Sequence, residues 1–199
     1  MALMRRRIPA VLFLATLVVY LLFPTRHYYW DGVAFALHIE HPDWFGQSMV
    51  TPNHLVYVPF GRAVYVGLNE LGVAVRALTA LQAVNSVAGA ASVALLCRVL
   101  LGLTQSGSLS LFLSLLFAFS ATWWKFATDA NAYVISVLFL LVAFALVTRA
   151  GQPAPVRAAL AHTAAMLFHQ LAVFFFPVAL LGLFTGRGKS RWRAVASRL

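Results

Sequence analysis

The chain is 199 residues long, 62% hydrophobic and only 10% charged, with a formal net charge of +10. A mean hydropathy of +0.84 excludes an ordinary soluble domain, and apolar runs near the ~20 residues needed to cross ~30 Å of hydrocarbon recur along the sequence. The basic residues gather at the ends of apolar runs and in the tail, where anionic headgroups account for them without a nucleic-acid partner. A lone Cys97 excludes an internal disulfide and a cysteine metal cluster.

Arg5-Arg6-Arg7 followed by Ile8 to Phe23 imitates a signal peptide. Its apolar core of about 16 residues is longer than usual for one, and no small-x-small cleavage site follows. The reading is an uncleaved first membrane helix over 8–24 with a cytoplasmic N-terminus, closed by the aromatic belt around Tyr28-Tyr29-Trp30. Residues 25–72 then form a large outside loop. Within it, Leu55 to Leu71 carries Arg62, Pro59, Gly61 and Glu70, and so reads as an interfacial helix rather than a crossing.

Residues 73–185 read as a transmembrane bundle, with spans at Ala77–Leu101, Leu109–Phe126 and Tyr133–Thr148. A last stretch, Ala158–Phe184, is long enough to be two short helices broken near His169-Gln170 and Pro177. Residues 186–199 form a basic cytoplasmic tail. The expected fold is therefore all-α, a polytopic bundle of five to six crossings in the plasma (inner) membrane with both termini cytoplasmic. This threading places Arg5, Arg6, Arg7, Arg98, Arg149, Arg157 and the basic tail inside. It leaves all five acidic residues, Asp31, Glu40, Asp43, Glu70 and Asp129, on the outside.

Several polar residues on that side could carry chemistry. Asp31, one residue beyond the aromatic belt, suits either a helix N-cap or a general base. His38-Ile39-Glu40-His41-Pro42-Asp43 is the densest polar cluster; a divalent metal held by His38, Glu40, His41 and Asp43 is the lesser alternative to histidines bonded to water or headgroups. His54 and Arg62, about two helical turns apart, could both reach a phosphate at the membrane surface. Lys125 and Asp129 stand four apart in the second outside elbow, where a simple ion pair is the plainer reading. His169 and Gln170 interrupt an apolar run, either satisfied within the bundle or lining an outside cavity.

Four segments taken in order resemble the GT-C glycosyltransferases, in particular the branch near protein O-mannosyltransferases and its bacterial relatives. They are Trp30-Asp31-Gly32, Asn53-His54-Leu55-Val56-Tyr57-Val58-Pro59, Thr122-Trp123-Trp124 with Asp129-Ala130-Asn131-Ala132-Tyr133, and Phe168-His169-Gln170 preceding Pro177. The resemblance covers about residues 5–185 and implies a sugar donor linked to a polyprenyl phosphate, with inverting transfer on the outer face. It further implies Asp31 as base, a second carboxylate at Asp129, and substrate contacts from His54, Arg62, Lys125, Asn131, His169 and Gln170. Asn131 stands where relatives carry an acid, and Pro52-Asn53-His54 replaces their His-Pro-Pro. Relatives also run through further helices, so a C-terminal portion or partner subunit is expected to complete the donor cavity. The rival readings are a non-catalytic membrane subunit or lipid-binding scaffold, and a secondary transporter, for which an inverted repeat is missing from the sequence.

Overall fold

The computed structural model describes residues 2–42, 50–148 and 154–182. Among them the chain is helical, apart from turns and a single bridge between Thr51 and His54. In order come α1 (Ala2–Leu22), α2 (Trp30–Glu40), α3 (Tyr57–Glu70), α4 (Ala77–Thr104), α5 (Gly107–Ala118), α6 (Ala121–Ala127), α7 (Tyr133–Val147) and α8 (Pro155–Phe168). A 3-10 segment, Gln170–Phe175, then runs into helix up to Gly182. Asp43 and the basic tail lie outside the described residues.

α4 is the axis of the fold. Its 28 residues make about 42 Å of helix, and among the described residues it alone is long and apolar enough to cross a membrane unaided. The expected third span is not one helix. Ser120 ends α5 and caps α6, accepting from Trp123 N at 3.4 Å, and the two helices meet at 66°; taken together the bent pair passes the same length and composition test. α7 and α8 hold 15 and 14 residues, about 22 Å each and short of the hydrocarbon thickness. The last apolar stretch does break at His169, but not at Pro177, which sits near the start of a helical turn where its missing N–H costs little.

The long elements alternate in direction. Tyr20 near the end of α1 donates to Ala118 O at the end of α5 (2.9 Å), while a Cβ at Gly107 would meet Ile8, so α1 and α5 run together and α4 opposes them. Ser136 of α7 donates to Ala165 O of α8 at 2.9 Å, and Ala154 N bonds Leu146 O, so these two are antiparallel. One end of the bundle thus collects the close of α1, the start of α4, the α6–α7 elbow and the close of α8.

α2 and α3 lie beside only the first turns of α4. Gly61 of α3 packs on Leu81 and Ile39, and Glu40 at the end of α2 accepts from Ala77 N at 2.7 Å, capping α4. The same carboxylate takes a forked pair of bonds from Arg76, the closest at 2.7 Å. Packing throughout rests on small residues. Ala80, Ala90, Ala118, Ala127, Ala143 and Ala165 are buried, while Leu14, Phe112, Leu116, Leu160 and Phe174 face outward. Large apolar side chains outside and small ones at helix contacts is the arrangement a lipid solvent favours.

Candidate functional site

Three side chains from three separate elements, His54, Tyr133 and His169, meet at the end where the loops gather, with Asp31 of a fourth element nearby. Asp31 stands half-buried in the first turn of α2; the cap position belongs to Tyr29, which makes no side-chain cap bond, so Asp31 is not the cap itself. His54 is presented by the turn closed by the Thr51–His54 bridge. Tyr133 opens α7, and His169 occupies the break after α8. The His169 ring stacks on Tyr133 with centroids 4.1 Å apart and lies 4.7 Å from the His54 ring. Phe35 closes the other side of His54 edge-on at 5.3 Å. The Asp31 carboxylate is near enough for its charge to bear on His54, His169 and Tyr133 alike.

Burial governs the charge state of the two imidazoles. Desolvation lowers His54 below the ordinary histidine value, against the opposing pull of the Phe168 carbonyl and of Asp31. It takes His169 further, to about 4, helped by the neighbouring His54 and resisted by Asp31. Both are therefore neutral at pH 7. His169 Nδ1 accepts from Leu171 N at 3.2 Å, which leaves its Nε2 to carry the proton. His54 Nδ1 is buried without a hydrogen-bond partner.

Backbone clamps hold these groups in place. Val56 N bonds Leu167 O at 3.1 Å, Gln170 N bonds Asn53 O at 3.2 Å, and the Gln170 side-chain amide donates to Asn53 Oδ1. Gln170 thereby fixes His54 against His169. A second layer lies just behind. Asp129, fully buried, accepts from Tyr29 N and Ala130 N, both at 2.8 Å. Its carboxyl is pushed up by burial, with those two N–H groups and Lys125 pulling it back. Asn131 donates to Phe126 O at 2.6 Å and accepts from Tyr133 N and Val134 N, capping α7. Asp129 and Asn131 thus hold the elbow together by their side chains, at the positions the sequence marks for chemistry.

The remaining candidates are spread apart. Arg62 turns to the end of α2, donating to Ile39 O at 3.3 Å. Lys125 Nζ stands 6.0 Å over the Tyr29 ring, on the Asp129 side of the elbow. Glu40 is spent on Arg76 and the α4 cap, and the guanidinium holds it below the usual carboxylate range. Glu40 is so engaged, and among the described residues no group of three His, Cys, Asp or Glu could hold a metal ion; Asp43, the fourth member of the set with His38, Glu40 and His41, lies outside them.

Asn85 and Tyr133 belong to this region although neither stood out as a site residue in the sequence. Asn85 donates to Asp129 O at 2.7 Å and Asn131 O at 2.8 Å, while Gln82 reaches Thr25 O and Thr128 O, and Ser86 reaches Ala127 O. The signal was present: Gln82, Asn85 and Ser86 are three and four apart on one face of an apolar helix, a stripe that demands polar partners. Compared with known proteins, the chain matches no family model, no curated protein and no solved structure.

Proposed function

We propose that the chain is a GT-C-like glycosyltransferase core, multi-pass in the plasma (inner) membrane, that moves a sugar from a polyprenyl-phosphate-linked donor to an acceptor on the outer face. The observation that supports it is the meeting of two neutral imidazoles and a phenol at the loop-bearing end of an apolar bundle, with the half-buried Asp31 close enough for its charge to bear on all three. A carboxylate is the natural base for an acceptor hydroxyl, and neutral His169, whose Nε2 carries the proton, can donate a hydrogen bond to a donor phosphate. In the reaction, the acceptor oxygen attacks the anomeric carbon and the bond from that carbon to the phosphate oxygen breaks. The lipid phosphate leaves with the electron pair, and Asp31 takes the hydroxyl proton. His169 orients the phosphate, and His54 packs against the His169 ring. Asp129 and Asn131 keep the elbow in place, and the outward-facing Leu and Phe side chains give the lipid tail an apolar path.

The test is Asp31→Asn, assayed for sugar transfer in membranes supplied with lipid extract. Asn removes the base while costing α2 only a weak charge–dipole term. Transfer is expected to fall at least ~10²-fold with the melting temperature unchanged. Full turnover by the variant would remove Asp31 from the chemistry. Absence of transfer by the unaltered chain as well, with the expected C-terminal portion or partner subunit supplied, would favour a non-catalytic scaffold.

A further inference from the structure

A groove of about 430 Å³ opens between α1 and α4, lined by Phe13, Leu14, Ala94 and Leu95, with Arg98 among its walls. It lies away from the Asp31 site. Arg98 comes 21 residues after the first residue of α4, roughly 32 Å along the axis from the end that Glu40 caps. The contact of Gly107 with Ile8 puts the start of α1 at this same end.

Arg98 is exposed and makes no ion pair; among the described residues the one ion pair is Arg76–Glu40. The described carboxylates all belong to the opposite end: Asp129 is bound to Tyr29 and Ala130, Glu40 caps α4, Glu70 closes α3 just before α4 begins, and Asp31 opens α2. A guanidinium six residues inside the end of an apolar helix has to find its counter-charge beyond these groups, or lose hydration without compensation. Arg7, also exposed, adds a second cation at this end of α1. Apolar walls with a cation beside them match a molecule that is apolar along its length and anionic at its head.

We infer that the α1–α4 groove binds one anionic phospholipid, its acyl chain along Phe13, Leu14, Ala94 and Leu95 and its phosphate on Arg98. Arginine suits the role because its planar fork meets phosphate oxygens two at a time. An anionic head is favoured over a zwitterionic one, whose own cation competes with the guanidinium for the phosphate. The site stands apart from the sugar-transfer reading and holds whether or not the other end is catalytic.

Native mass spectrometry of the full chain in neutral detergent tests it, titrating phosphatidylglycerol against phosphatidylcholine. The first bound lipid should favour phosphatidylglycerol by about fivefold, the gain expected from one cation near a headgroup. Arg98→Gln should bring that ratio close to one, and Arg98→Lys should keep most of it. Ala94→Phe, which fills the groove and leaves the cation in place, should lower first-lipid occupancy for both headgroups. Equal retention of the two lipids by the unaltered chain would overturn the proposal. So would a phosphatidylglycerol preference undiminished in Arg98→Gln, or unchanged lipid occupancy in Ala94→Phe.

Discussion

His169 stacks on Tyr133 and meets His54 across 4.7 Å, so a proton added to either ring brings a cation into a space already half-shut from water. The sign of the pH dependence follows. The folded value of about 4 for His169 lies below the ordinary 6.5, so between the two the unfolded chain binds more protons and stability rises with pH. The contribution is complete above about pH 6.5 and is lost as pH falls toward 4; His54, shifted the same way, adds to it. The melting temperature in detergent should therefore climb from pH 4 to 6.5 and level off above. His169→Phe, which keeps a ring against Tyr133, should flatten most of that slope; an unchanged slope would mean that His169 is not the group that titrates. At this scale the sequence was half legible. Asp31, His54 and His169 stood out as polar breaks in apolar surroundings, but the meeting of the two imidazoles depends on clamps such as Gln170 to Asn53, between residues far apart in the chain. Asp129 was legible as a carboxylate but not in its use, because serving two backbone N–H groups leaves no mark in residue type.

Among the described glycines, the one with least room is Gly32, where α2 meets the α6–α7 elbow. A Cβ at Gly32 would stand 2.3 Å from Ala130 O, and the backbone atom it meets cannot swing aside as a side chain would. Gly32→Ala should therefore push α2, and Asp31 with it, off the elbow. A loss of about 1–3 kcal/mol is expected, the usual cost of overfilling a packed contact. Gly67 on α3 is the control, since nothing lies within 4 Å of the position its Cβ would take. Gly67→Ala should be neutral or stabilise by up to about 1 kcal/mol through helix propensity. Chemical denaturation in detergent compares the two, and equal stabilities would mean that α2 is not seated against the elbow. Apolar length was legible at α4 and in the break at His169. The bend at Ser120 was missed because a hydropathy run averages over a single capping residue, whereas the Ser side chain decides where α5 stops and α6 starts.

Across the whole molecule the chemistry is polarised: the described carboxylates gather about the start of α4, while Arg98 lies toward its far end. Such a molecule can sit in a bilayer with the acidic end at one surface, provided that α3 does not itself cross. The packing supports this condition, since Gly61 rests on Leu81 and Ile39 while Glu40 holds Ala77, so α3 accompanies the first turns of α4 only. Trp30 and Leu71, 78% and 80% exposed, should then lie on one side of the membrane, and Leu103, 63% exposed, on the other. In a Cys97→Ala background, an impermeant maleimide applied to intact cells should label Trp30→Cys and Leu71→Cys. Leu103→Cys should label only after permeabilisation. The orientation expected in this experiment is the one in which the positive-inside rule keeps the basic residues on the cytoplasmic side. Labelling of Trp30→Cys and Leu71→Cys from opposite sides would make α3 a crossing. It would also part Asp31 from the start of α4, and the proposed outer-face site would no longer exist.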